Sequence, residues 1–152
     1  MEYMFMPFKR YFEFTGRSRR MEFWMFMLFN VIVYIVLTAI AFGVSGGLEA
    51  MAGVDPEDTL AVYSAMFSGP FILLGIFALA VFIPSISVSV RRLHDRDMSG
   101  WWYLGFIVGS MIPFIGILIS LAFMVLMFLP GTTGPNRFGE DPKNPTNANV
   151  FD

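Results

Sequence analysis

The chain has 152 residues, of which 56% are hydrophobic, 17% aromatic and only 14% charged; its net charge is −2, its pI about 5.3 and its mean hydropathy +0.64. Three charge-free runs, 23–48, 59–90 and 98–136, cover nearly two thirds of it, whereas soluble domains carry roughly 25% charge spread over their surface. Too little polar material remains to coat a water-facing globule, which excludes a soluble enzyme, a nucleic-acid-binding domain and a disordered chain.

Residues 4–14 place Phe5, Phe8, Tyr11 and Phe12 at helical spacing, with Lys9, Arg10 and Glu13 on other faces. That pattern predicts a short helix lying in the membrane interface. Thr15-Gly16-Arg17-Ser18 reads as a turn, with Ser18 as the N-cap of the next helix. A spanning helix needs about 20 mostly apolar residues, and 23–43 is the first segment to qualify. Its apolar core is too long for a signal peptide, so it reads as an uncleaved anchor. Glu22 sits at its edge, placed to pair with Arg19 or with Arg91 or Arg92 of a neighbouring helix end.

The following loop carries Glu49, Asp55, Glu57 and Asp58 without a single Lys or Arg. Asp55-Pro56-Glu57-Asp58 reads as a helix start, with Asp55 as N-cap, proline in the first turn and a helix of about three turns through Leu60, Tyr63 and Phe67. A second span covers 71–90. Arg91-Arg92-Leu93-His94-Asp95-Arg96-Asp97 follows as a polar connection, whose charges cap the helix, neutralise one another and face anionic headgroups. Residues 1–22 and 91–97 hold eight of the ten basic residues. By the positive-inside rule both are cytoplasmic and the acidic loop is outside.

The third apolar segment, 101–129, is longer than one crossing requires and contains Pro113 between Gly109 and Gly116. Length favours a single tilted span kinked at Pro113, which leaves the tail outside. The alternative is a hairpin turning at 111–116, with arms too short for a full crossing and the tail back in the cytoplasm. Polar or small residues recur at four-residue spacing as Asn30, Tyr34 and Thr38, as Ser85 and Ser89, and as Gly105 and Gly109, the last pair continued by Pro113, Gly116 and Ser120. These stripes read as helix-packing faces, with Gly105, Gly109 and Gly116 allowing close approach. From Pro130 the sequence is turn chemistry, and 144–152 reads as a flexible end.

Without cysteine and with one histidine, the chain has no disulfide, thiol nucleophile or two-histidine metal motif. No catalytic, cofactor or metal residue is assigned. No acid or base lies deep in a span, as pumps usually need.

Several fragments resemble one family together and in order. They are Phe14-Thr-Gly-Arg17-Ser-Arg-Arg20-Met-Glu22-Phe-Trp24, Arg91-Arg-Leu-His-Asp95, Ser99-Gly-Trp-Trp102, Ile112-Pro-Phe-Ile-Gly116, and Pro130-Gly-Thr-Thr-Gly-Pro-Asn-Arg-Phe-Gly139 with Asp141-Pro142. The set is similar to the YhaH-like family of small bacterial inner-membrane proteins, a domain of unknown function, over residues 11–143. The resemblance implies a multi-pass inner-membrane protein and no particular activity. It also implies that the entry motif, the polar connection and the tail meet in one cytoplasmic cluster of Arg17, Arg20, Glu22, Arg91, Arg92, His94, Asp95, Asn136 and Arg137. That juxtaposition needs the tail inside, and so supports the hairpin.

The reading is therefore an all-α membrane protein. It is a small bundle of three transmembrane helices, the third long and kinked at Pro113 or split into a hairpin giving four, plus an N-terminal interfacial helix. Residues 1–143 form one membrane domain with a cytoplasmic N-terminus. The expected role is non-enzymatic interaction with membrane lipids, a second copy or a membrane-protein partner, and no nucleic acid. A small-solute transport component is the alternative.

Overall fold

A computed structural model describes residues 2–44, 52–66, 69 and 71–143. Within these, six α-helices run in order: α1 Glu2–Lys9, α2 Arg20–Ala39, α3 Thr59–Met66, α4 Phe71–Asp95, α5 Trp101–Ser110 and α6 Ile115–Phe128. A π-helical turn, Ile40–Val44, extends α2, and no strand is present among the described residues. Two helices are long and apolar enough to cross a membrane, Arg20–Gly43 and Phe71–Asp95. The expected flexible end at 144–152 and Phe67 lie outside the described residues.

The chain divides into two compact units. One, Met27–Phe82, contains the distal part of α2, the proximal part of α4, and α3. Aromatic edges hold α2 to α4 there: Phe77 meets Phe29 and Tyr34 at centroid distances of 6.4 and 5.0 Å, and Phe42 meets Phe71 at 5.2 Å. Edge-to-face pairing suits ring quadrupoles and adds about 0.5–1.5 kcal/mol per pair beyond area burial. The N-cap of α3 is Asp58, not Asp55. Asp58 Oδ1 accepts from the backbone N–H groups of Leu60 and Ala61, while Asp55 Oδ1 accepts from Glu57 N in the turn before. Pro56 favours that turn, and the acid nearer the apolar run meets the unpaired N–H groups of the helix start.

The other unit, Met1–Phe26 with Ile83–Asp152, contains everything else. Its apolar centre is Phe23, Phe26, Val88, Leu93 and Met127, all nearly or fully buried. Phe8 of α1 packs edge-on against Phe26, and Trp24 stacks on Phe128 at 4.0 Å. Ser18 does not cap α2. Its backbone N–H donates to Arg91 O at 3.1 Å, and its buried hydroxyl has no hydrogen-bond partner among the described residues. The chain enters the helix already docked on α4, so packing replaces capping as the entry constraint.

The third apolar segment is two helices, and the single kinked span that length favours is not what forms. Pro113 has no N–H to continue α5, and Phe114 adopts φ 65°, a left-handed conformation that reverses the chain. The backbone of Gly116 then passes so close to Ser110 O that a Cβ there would overlap it. A Cβ on Gly109 would lie 2.8 Å from Ile119, but one on Gly105 would meet open space. Gly105 is therefore not at the contact the four-residue spacing suggests. Tyr103 and Phe106 of α5 close on Phe123 of α6 at 5.8 and 5.2 Å.

This asymmetry among the glycines is measurable. Gly116→Ala should cost about 1–3 kcal/mol through overlap with the backbone. Gly105→Ala should be neutral or stabilising by up to about 1 kcal/mol, through helix propensity alone. Unfolding of the two variants in the same detergent distinguishes them.

Candidate functional site

The helix α4 runs past its apolar stretch and keeps Arg91, Arg92, His94 and Asp95 in its last two turns. A spacing of four residues, close to one helical turn, brings Arg91 and Asp95 to one side, and all of these side chains are buried, the two guanidinium groups completely. The cations expected to face headgroups thus point into protein. A buried charge is tolerated only when paired and hydrogen-bonded, and the surrounding segments supply the partners.

Asp95 lies at the centre. Its Oδ1 accepts from Arg17 Nε at 3.0 Å, and its Oδ2 accepts from Arg92 Nη1. A Cβ on Gly131 would occupy the position of this carboxylate. Only glycine lets the tail lie against it, and Thr132 N donates to Asp95 O at 2.8 Å. Glu22, expected to bridge two helices, lies 2.8 Å from Arg91 Nη1 and 4.0 Å from Arg10 Nη1. The Arg91 pair is close but not aligned as a hydrogen bond, and Arg91 Nε and Nη2 have no partner among the described residues.

Further donors of Arg17, Arg19, Arg20, Arg92 and Arg96 are aimed at backbone carbonyls, taken almost in sequence along the end of α6 and the tail. Arg92 donates to Met127 O and Leu129 O, Arg20 to Phe128 O, and Arg96 to Pro130 O. Arg17 donates to Thr132 O at 2.5 Å and Gly134 O at 2.6 Å, and Arg19 to Pro142 O. The last turn of a helix leaves its carbonyls without intrahelical partners, and cations complement its dipole. At the α6 terminus, side chains from α4 and α2 thereby cap the carbonyls of Met127 and Phe128, and Leu129 N donates to Val125 O.

His94 donates from Nδ1 to Gly16 O at 3.1 Å and stacks flat on Phe138 at 3.9 Å. Asn136 Nδ2 donates to His94 O at 2.9 Å, and an antiparallel bridge joins Asn136 to Gly139. Arg137 is exposed and pairs with Asp97 at 3.2 Å. Asp141 accepts from the backbone N–H groups of Lys143 and Gly134, which hold its carboxyl below the usual range. All nine cluster residues named from the sequence come together in this unit. Arg20 and Arg137 occupy its outer rim.

The cluster read from the sequence leaves out Arg19, Arg96, Gly131, Thr132, Phe138 and Ser87, whose hydroxyl donates to Glu13 O at 2.6 Å. The signal for Gly131 was its place between Pro130 and a turn-rich tail. For the carbonyl acceptors there was none, because every residue carries one. Among the described residues no three His, Asp or Glu side chains converge as a metal site would need.

The family described as "Protein of unknown function (DUF805)" matches residues 11–140. The inner membrane protein YhaH of Escherichia coli (strain K12) is 41% identical over 143 residues, 94% of this chain and 98% of its own. The inner membrane protein YhaI of the same strain is 37% identical over 143 residues, 94% and 97% of the two chains. No solved structure matches.

Removing the central carboxylate should be far worse than removing a rim one. Asp95→Ala leaves two buried guanidinium groups uncompensated and should cost about 3–5 kcal/mol. Asp97→Ala breaks an exposed pair and should cost less than about 1 kcal/mol. Equal losses in chemical unfolding would contradict the burial assigned to Asp95.

Proposed function

The chain belongs to the DUF805 family of proteins of unknown function, and from that footing we propose that it is a multi-pass protein of the bacterial inner membrane. It acts by interaction rather than catalysis, with its N-terminus and tail both cytoplasmic. The observation that supports this reading is the contact of Arg17 with Asp95, Thr132 and Gly134, which joins the entry turn to the end of α4 and to the tail. Charge asymmetry supports that side as cytoplasmic, since this unit holds the arginines and the connection before α3 holds acids without a cation.

In this reading α2 leads out and α4 leads back. The α5 and α6 arms have 10 and 14 residues, about 15 and 21 Å of helix, against roughly 30 Å of hydrocarbon. They form a re-entrant hairpin that dips into the cytoplasmic leaflet and returns. Its outer faces, including Trp101, Val108, Phe114, Ile117 and Leu118, are apolar and exposed, which suits hydrocarbon contact. The cations available to anionic headgroups are Arg20 and Arg137 at the rim, while Arg91 and Arg92 hold the fold together. The partners are membrane lipid and either a second copy or another membrane protein.

Transport of a small solute is the second reading. Asn30 in α2 favours it, being only 7% exposed with Oδ1 unpartnered among the described residues. Proteoliposomes of the purified chain should pass no small solute under the interaction reading; protein-dependent flux abolished by Asn30→Leu would establish transport instead. For topology, a fluorescent protein fused after Asp152 should fluoresce and an alkaline phosphatase fused there should be inactive. The reverse pair of results would overturn the hairpin placement.

A further inference from the structure

His94 is the chain's one histidine, and its two ring nitrogens are in different situations. Nδ1 faces Gly16 O, and a carbonyl oxygen can only accept, so Nδ1 carries the hydrogen. In the neutral ring the lone pair is then on Nε2. The residue is 9% exposed, and the hydrogen bond of its ring is at Nδ1. A side chain at position 100 would stand 3.3 Å from Nε2, and the glycine there leaves the nitrogen open.

What it opens onto is a cavity of about 520 Å³, within the usual range for small-molecule sites. Its apolar lining includes Ile86 and Val90 from α4 and Leu104 and Ile107 from α5. Besides His94, the lining residues with polar side-chain atoms are Ser99, Trp101 and Tyr103, and no charged side chain is among them. An anionic head would bring oxygen acceptors against the Nε2 lone pair with no cation to hold them. A wholly apolar occupant would leave the Nε2 acceptor without a donor, which is costly.

We propose that this cavity binds the head of an uncharged lipid carrying a hydroxyl group. The hydroxyl donates to His94 Nε2, and the hydrophobic chain lies along Ile86, Val90, Leu104 and Ile107. Diacylglycerol and long-chain membrane quinols share this chemistry. The inference uses the proposed membrane location only as the source of the lipid; the reporter fusions above test that location separately.

The single histidine makes the test direct. The full chain, labelled with ¹⁵N-histidine in nanodiscs of phosphatidylcholine, whose head has no O–H or N–H, gives one imidazole to observe. Titration with diacylglycerol or a long-chain quinol should move the Nε2 resonance in a saturable way. Triacylglycerol and the oxidised quinone, which lack the donor, should leave it in place. A response to one donor lipid identifies the source, and a response to both supports the shared chemistry. No response to either, or an equal response to the donor-free counterparts, overturns the proposal. His94→Phe preserves a ring against Phe138 and should retain about tenfold less of the responding lipid in native mass spectrometry; undiminished retention also overturns it. The measurement on the unsubstituted chain stands whether or not this variant folds.

Discussion

Two guanidinium groups, Arg17 and Arg92, share one carboxylate, Asp95, inside the protein. Withdrawing such ions from water costs several kcal/mol each, and mutual attraction offsets it only if the remaining donors are also filled. One carboxylate cannot fill two five-donor forks. The acceptors that complete them are main-chain carbonyls of Met127, Leu129, Thr132 and Gly134. The arrangement of the rest of this unit follows from that need. The tail is extended and turn-rich because a regular helix would have spent its carbonyls internally, and it carries Gly131 because nothing larger fits beside the carboxylate.

The hairpin serves the same end. Had 101–129 run as one helix, its last carbonyls would have finished far from α4. By reversing at Phe114, α6 brings its uncapped terminus back to the arginines that cap it. The inner contact is narrow, with Gly109 on Ile119 and the aromatic pair Phe106 and Phe123. Most of both arms remains apolar and uncovered, and Phe114 at the tip is 93% exposed. Such a hairpin lacks the surface chemistry to be soluble, and its fixed points are its two ends and its glycine contacts.

Hydropathy marked both long helices, and the Pro113 and Gly116 pair marked the break. Charge spacing also picked out Glu22, Arg91, Arg92 and Asp95. The inward direction of Arg91 and Arg92 was not legible, because an arginine at a helix end reads the same whether it meets a phosphate or a carbonyl. The deciding acceptors lie some 35 residues away in the chain and are main-chain atoms, invisible to side-chain pattern. Asp55 and Asp58 were both good caps by composition, and only the position of the first free N–H groups selected Asp58. Gly105 and Gly109 share a spacing but not a neighbour. Repetition names a face without saying whether anything lies against it.

The separation between Arg17 and its acceptors sets the order of assembly. Asp95 follows Arg17 by 78 positions, Thr132 by 115 and Gly134 by 117. During synthesis from the N-terminus, Arg17 and Glu22 emerge long before α4, and α4 before the carbonyls that complete it. Until the last segment leaves the ribosome, the entry motif has to remain in water or at the headgroups. Release of the tail is therefore the step that withdraws these charges from solvent, and an interrupted chain ending before Pro130 would leave its arginines hydrated and its helix ends unlatched.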